Sequence, residues 1–389
     1  MHERQKRSII ILGCTGSVGT TALKALEEYA DHYRIVGLSA HGNVKRLSEI
    51  ARHWNCHHVA ITGSYENAHL PSLFAEGTHV HLGKDGLQEM IRGVQADLVL
   101  NAIAGADGLA ATFAAIESGK DLAFSNKESV VMAGKLLHAH AQAHGVEIIP
   151  VDSEHSTLHA LLGSFGRDNV SSLVITASGG PFRDFPVENM KDITVVMAIA
   201  HPTWSMGPKI SIDSATLANK GLEVMEAGFL FDFTVREIEV VIHPQSVVHS
   251  FVRMVNGALY AQLSPPDMAL PIMAALAGDS YPLREVVRPL DFTDLTLTFM
   301  EPDFIKFPLL RHAFTCARLQ QSYPIAYNAA DEVAVQAFVD GHLTFDHIAS
   351  VVEETLQSDW AIPFTNLDEI LTIDREVRMK ASQLANRYR

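Results

Sequence analysis

The chain has 389 residues, 47% of them hydrophobic and 19% charged, so it exceeds one compact core and reads as a globular protein of two or three domains. Its formal net charge of −15 disfavours nonspecific attraction to nucleic acid or to an anionic membrane surface. The three cysteines, Cys14, Cys56 and Cys316, are too widely spaced for a disulfide framework or a four-ligand zinc pattern, and they fit a reducing compartment.

The chain opens with "MHERQKRSIIILG", basic and then apolar. The apolar run is short and passes straight into a glycine-rich turn, so it reads as a first strand and not as a signal peptide. No apolar run approaches the roughly 18 residues of a membrane span. A cytoplasmic, soluble protein is the expectation. Across residues 1–152, short apolar runs ("SIIIL", "RIVGLSA", "HVAIT", "HVHL", "ADLVLNAI", "DLAFS", "EIIPV") alternate with segments at helical spacing such as "VGTTALKALEEYAD". Continuous apolar strands separated by helices predict a parallel sheet covered on both faces, with ligands beyond the carboxyl ends of the strands. Residues 153–280 predict an α+β domain with a mostly antiparallel sheet. It holds the strand "SSLVITAS", a helix near 215–231, and a hairpin around Val255-Asn256-Gly257. Residues 281–307 carry several prolines and read as a linker, and from 308 the pattern is helical to residue 389.

The first strand leads into Gly13, Gly16 and Gly19. Such a turn lets backbone N–H groups at a helix N-terminus reach a pyrophosphate, although glycines there can also serve the turn alone. The second strand ends in "SAHGNVKRL", without the acidic residue that favours NAD. With Asn43, Lys45 and Arg46 nearby, that leans to NADP, the alternative being that the two cations decorate a helix start. Asn126, Lys127 and Glu128 follow another strand and so lie on the same edge; the competing reading makes Lys127 an ordinary surface lysine.

In "SIDSATLANKGLEVMEAGF", Asp213 or Ser214 suits an N-cap, and Asn219, Lys220 and Glu223 share one helix face. That face is either a solvated lysine–glutamate pair or a grip on a phosphorylated substrate beside a divalent metal. Asp152 and Glu154, two apart in an extended segment, would point to the same side. With Glu223 they make three oxygen ligands, a Mg²⁺ or Mn²⁺ set and not a zinc set. Ser178, just before two glycines, suits an anion-binding turn. His201, Trp204 and Met206 lie in a proline-flanked loop that reads either as a water-excluding lid or as local packing.

The motifs "GCTGSVG", "SNKES", "VDSEHS", "ASGGPFR", "HPTWSMGPKISIDSATLANKGLEVMEA", "HPQSVVHSFV", "AQLSPPDMALPI" and "NAADEVAVQAF" resemble the 1-deoxy-D-xylulose 5-phosphate reductoisomerase family over most of the chain. The resemblance implies a Rossmann-like N-terminal domain, an α+β catalytic and dimerisation domain and a C-terminal helical domain. It implies an NADPH-dependent, metal-dependent enzyme of the non-mevalonate isoprenoid pathway that isomerises and reduces a sugar phosphate, and a homodimer paired through the middle domain's sheet. By that resemblance Asp152, Glu154 and Glu223 hold the metal. Ser178, Ser214, Asn219 and Lys220 form the phosphate pocket, Lys127, Ser153 and His201 contact substrate, and Trp204 and Met206 sit on the lid. Thr15, Gly16, Ser17, Val18, Gly42, Asn43, Asn126, Glu128 and Gly207 make the cofactor site. The chain departs from the family pattern at His41-Gly42-Asn43, where a basic residue usually precedes the asparagine. A plain dehydrogenase without isomerisation, and a dinucleotide sensor without turnover, are the rival readings.

Overall fold

The computed structural model describes residues 6–64, 70–204, 206–278, 283–291 and 293–388. The chain divides into two compact units. The first comprises Met1–Ser129, Leu137–Ser156 and Asp267–Val287; the second comprises Val130–Leu136, Thr157–Pro266 and Arg288–Arg389.

In the first unit, strands β1 (Arg7–Leu12), β2 (Tyr33–Ala40), β3 (His58–Ile61), β4 (His79–Leu82), β5 (Leu98–Asn101), β6 (Asp121–Phe124) and β7 (Ile148–Pro150) form one sheet in the order β4-β3-β2-β1-β5-β6-β7. All its pairings are parallel. Ile9, Ile10, Ile11 and Leu12 of β1 are fully buried, as are Leu98, Val99 and Leu100 of β5. Strands covered on both faces need apolar side chains at every position, so these runs do not alternate. Strand order reverses between β1 and β5. The glycine turn leaves β1 at that point, where sheets of this topology bind ligands.

In the second unit, β8 (Val170–Ala177), β9 (Ile238–Ile242), β10 (Val248–Met254) and β11 (Leu259–Leu263) form a sheet in the order β11-β10-β8-β9. β10 is antiparallel to both β8 and β11, and only β8 and β9 run parallel. The hairpin expected at Asn-Gly joins β10 to β11, by a different turn from the two-residue type. Gly257 N–H donates to Met254 O at 2.9 Å and Gly257 has φ +88°, whereas Val255 and Asn256 keep negative φ. This is a type I turn closed by a left-handed glycine, a loop of three residues. Helices Pro308–Leu319, Tyr323–Val339, Phe345–Leu356 and Leu367–Ala385 complete the unit.

Two local expectations are corrected. Asp213 and Ser214 are not N-caps: both lie inside a helix, Pro208–Thr216, whose N-cap is Gly207. Leu217, at φ +60°, ends that helix and starts the next, Ala218–Phe231. Asp152 and Glu154 are likewise not in one extended segment. The strand stops at Pro150, and Ser153 opens the helix Ser153–Phe165.

Candidate active site

In the first unit the candidate residues gather at the carboxyl ends of β1, β2, β6 and β7. The glycine turn is sterically obligatory. Gly13 has φ +72°, and a Cβ there would lie 2.6 Å from Ala102 O. A Cβ on Gly19 would lie 2.5 Å from Gly13 O. The helix Ser17–Glu27 therefore starts hard against the strand end, with Gly16 as N-cap and with Gly16 and Ser17 exposed. The first N–H groups of a helix have no intrahelical partner, and at Ser17 and Val18 they face the open end. Cys14, inside the turn, is no nucleophile: burial pushes its thiol up to about 12.

At the end of β2, Asn43 caps the helix Val44–His53, its side chain accepting from Arg46 N–H at 3.2 Å. Lys45 and Arg46 are exposed, and Arg46 makes a surface pair with Glu49 at 3.2 Å. Such a pair is weak enough to yield to a better anion. His41 meets Thr62 Oγ1 at 3.2 Å.

After β6, Asn126 is completely buried. Its amide donates to Ile103 O and Gly105 O, each at 2.8 Å, and to Glu128 Oε2 at 3.0 Å. The side chain braces the loop after β5, a function its position on the strand edge did not reveal. Lys127 is 5% exposed and pairs with the Asp152 carboxylate. That removes the reading of Lys127 as a solvated surface lysine. Beyond β7, Asp152 C=O accepts the Ser156 N–H at 2.8 Å, so Asp152 stands where the helix begins. Ser153 Oγ donates to Glu154 Oε2 at 2.6 Å. Both carboxylates thus sit at one helix N-terminus, whose dipole favours negative charge. His155, the next residue, is fully buried; sequence reasoning did not select it.

In the second unit, β8 delivers Ser178 into a turn carrying Gly179 at φ +84° and Gly180 at φ +67°. A Cβ on Gly180 would lie 2.6 Å from Ser214 O, so glycine lets this turn lie against the helix that carries Ser214. His201 organises the next loop. Its Nδ1 accepts the N–H groups of Thr203 at 3.1 Å and Trp204 at 3.0 Å, so in the neutral ring the hydrogen is on Nε2. Nε2–H then donates to Ser178 Oγ at 3.0 Å. That oxygen also accepts from Gly180 N–H at 3.2 Å, which leaves the serine's own hydrogen to be given to an anion. Trp204 and Met206 are partly exposed in the same loop.

Burial lowers the His201 pKa below 6.5, so the folded state favours the neutral ring. The associated stability is fully present above the unfolded value and is lost as pH falls through the lower folded value. Protonation places a hydrogen on Nδ1 and expels two backbone donors. A His201→Gln variant is therefore expected to show a flatter dependence of Tm on pH below 6.5 than the native protein, measured by calorimetry. An unchanged acid limb would mean that His201 does not control this loop.

On the helix Ala218–Phe231, Asn219 Nδ2 donates to Glu223 Oε1 at 2.6 Å and Lys220 Nζ to Glu223 Oε2 at 2.5 Å. Lys220 is 3% exposed and Glu223 1%, so this is not a solvated face. Charged groups are rarely kept this dry unless they are paired or serve a ligand. Glu226, one turn on, is also buried and escaped the sequence reading.

The first unit has the doubly wound topology and glycine turn of a dinucleotide-binding oxidoreductase, and the second carries serine, lysine and carboxylate groups suited to a phosphorylated substrate. Family models match most of the chain: 1-deoxy-D-xylulose 5-phosphate reductoisomerase over residues 9–134, its C-terminal domain over 148–231, and the DXP reductoisomerase C-terminal domain over 263–380. A relative from Treponema pallidum (strain Nichols) with the same description is 44% identical over 98% of this chain and 99% of its own length. One from Prosthecochloris aestuarii is 41% identical over 97% and 99%. Among solved structures, a DOX-P reductoisomerase in complex with NADPH, fosmidomycin and magnesium superposes with TM-score 0.91 at 38% identity, covering 97% of this chain and 98% of that one. The Zymomonas mobilis enzyme in complex with NADPH gives 0.90 at 38% identity, covering 98% and 99%. The chain belongs to the 1-deoxy-D-xylulose 5-phosphate reductoisomerase family.

Proposed function

We propose that this chain converts 1-deoxy-D-xylulose 5-phosphate to 2-C-methyl-D-erythritol 4-phosphate, using NADPH and Mg²⁺ or Mn²⁺, in the cytoplasmic non-mevalonate route to isoprenoids. The observation that carries the reading is the buried Asn219–Lys220–Glu223 face, found in a chain that matches this family over 98% of its length. The glycine turn fits a dinucleotide, because glycine lets the helix start hard against the strand end, where its first N–H groups can meet a pyrophosphate. The carboxylate oxygens of Asp152, Glu154 and Glu223 fit a hard divalent cation.

In this reading the first unit presents NADPH through Thr15, Gly16, Ser17, Val18, Gly42 and Asn43, with Asn126 and Glu128 shaping the neighbouring loop; Gly207 belongs to the same proposed cofactor set. Lys45, Arg46 or His41 takes the 2′-phosphate in place of the basic residue missing before Asn43. Ser178, Ser214, Asn219 and Lys220 bind the substrate phosphate. Lys127 and Ser153 orient the sugar, and His201 fixes the Ser178 hydroxyl as a donor. The loop with Trp204 and Met206 closes over the substrate and excludes water. Binding energy from the phosphate, remote from the reacting carbons, drives that closure. When bound, the cation supplies Lewis-acid stabilisation of charge on the substrate's oxygens, and NADPH supplies hydride. The domain division at residues 152, 280 and 307 belongs to the same proposal, as does a homodimer through the second sheet. There β11 is an edge strand with Leu259 and Tyr260 exposed.

The test is NADPH oxidation with 1-deoxy-D-xylulose 5-phosphate, with Mg²⁺ or with excess chelator, run beside NADH. Oxidation is expected only with both substrate and metal present, and faster with NADPH. A plain dehydrogenase would keep its rate in chelator. Equal rates with NADH would show that no cation replaces the one missing before Asn43.

A further inference from the structure

The motif "NAADEVAVQAF" has no part in the site described so far. Its Asp331 lies in the helix Tyr323–Val339 and is fully buried. Asp331 Oδ2 lies 2.9 Å from Lys209 Nζ, and the same ammonium lies 2.5 Å from Oδ2 of Asp213, itself 2% exposed. One lysine is thus shared by two buried carboxylates that are remote in sequence.

The location of that lysine is what matters. Lys209 is in the first turn of the helix Pro208–Thr216, directly after the loop of His201, Trp204 and Met206. The positive end of a helix dipole repels a cation there, so the position is unfavourable unless anions hold the ammonium. Asp213 alone would tie the helix to itself, as an i,i+4 pair. Asp331 ties it to a different helix, and so fixes the end of the loop against a rigid element. Asp213 also precedes Ser214, whose carbonyl the Gly180 turn approaches. The same anchor therefore sets the rotation of the helix that presents Ser214 beside the Ser178 turn.

We propose that Asp331, acting through Lys209, is a positioning residue for the reaction: it anchors the C-terminal end of the lid and the Ser214 helix, and so sets affinity for the phosphorylated substrate. This inference rests on the reading of Ser178 and Ser214 as the phosphate pocket.

The experiment compares Asp331→Asn, Asp331→Glu and Ser214→Ala with the native enzyme, measuring KM and kcat for 1-deoxy-D-xylulose 5-phosphate together with NADPH affinity and Tm. Asp331→Asn keeps the shape and removes the charge. A charge-assisted hydrogen bond is worth enough to move KM about tenfold upward, with NADPH affinity unchanged and a smaller effect on kcat. Asp331→Glu, which keeps the charge, is expected to restore part of that loss. If Asp331→Asn lowers Tm but leaves KM at the native value, the residue is structural only and the proposal is overturned. Should Asp331→Asn fail to fold, Lys209→Gln, which removes the cation through which Asp331 acts, decides: a native KM overturns positioning, and a raised KM with intact NADPH binding supports it. Ser214→Ala separates the two levels of the argument. If it leaves KM unchanged, the phosphate-pocket reading falls and the inference with it. If it raises KM while Asp331→Asn does not, only the inference falls.

Discussion

Replacing Glu223 by Gln is expected to lower kcat about a thousandfold while NADPH still binds, a loss of about 4 kcal/mol in transition-state stabilisation. The magnitude follows from what Glu223 does in this fold. Glutamine preserves the shape and can still accept from Asn219 Nδ2, now 2.6 Å from Glu223 Oε1. It cannot supply an anionic oxygen to a divalent cation. It also leaves Lys220 buried without the carboxylate that stands 2.5 Å away. Removing one partner of a buried pair costs about 3–5 kcal/mol of stability, so a fall in Tm is expected as well. The two effects separate in a Mn²⁺ titration. Weakened metal binding is partly overcome at high Mn²⁺, whereas loss of folded protein is not. Unimpaired turnover would leave Glu223 as no more than the counter-ion of Lys220.

The elements legible in the sequence are those governed by local pattern or by sterics. The central strands of the first sheet could be read because a parallel sheet buried on both faces demands an unbroken apolar run, as in Ile9–Leu12. Gly13 and Gly19 could be read because no other residue fits 2.6 Å and 2.5 Å from backbone atoms. The residues that misled are those whose conformation is imposed from outside the local segment. Leu217 adopts φ +60° although nothing in leucine favours it, so the helix expected near 215–231 begins at Ala218 and an unexpected helix, Pro208–Thr216, precedes it. The helix start at Ser153 was missed because Pro150-Val151 prolongs the apolar run. A signal was nevertheless present: Asp152-Ser153, then the acidic Glu154 and "HSTLHALL", is an N-terminus pattern.

For the site, chemistry was legible through residue type, and burial was not. Lys127 and Lys220 each carried an ordinary surface-lysine reading beside the functional one, and the fold removed it by placing Asp152 and Glu223 against them. The Lys209–Asp331 pair lies beyond any local reading, because its members come from separate helices. Asn126 shows the converse. Its position on the strand edge was read correctly, but its amide is spent on Ile103 and Gly105, so it shapes the loop from within.

Asp152→Asn should behave differently from Glu223→Gln, because the Asp152 carboxylate pairs with Lys127 and not with Lys220. The substitution removes one carboxylate from the helix N-terminus shared with Glu154 and leaves Lys127, 5% exposed, without its acid. If Asp152 is a metal ligand, the divalent cation concentration for half-maximal rate is expected to rise about a hundredfold, since even outer-shell losses cost ten- to a hundredfold. If Asp152 serves only to neutralise Lys127, the metal requirement stays put and the damage appears as lost stability of about 3–5 kcal/mol. A second substitution distinguishes these cases. Lys127→Met in the Asp152→Asn background removes the buried charge that Asp152 balanced, so it should recover much of the stability. It cannot restore an oxygen ligand, and a hundredfold shift in metal requirement would persist. Recovery of native metal dependence in the double variant would remove Asp152 from the proposed ligand set, leaving Glu154 and Glu223 to hold the cation.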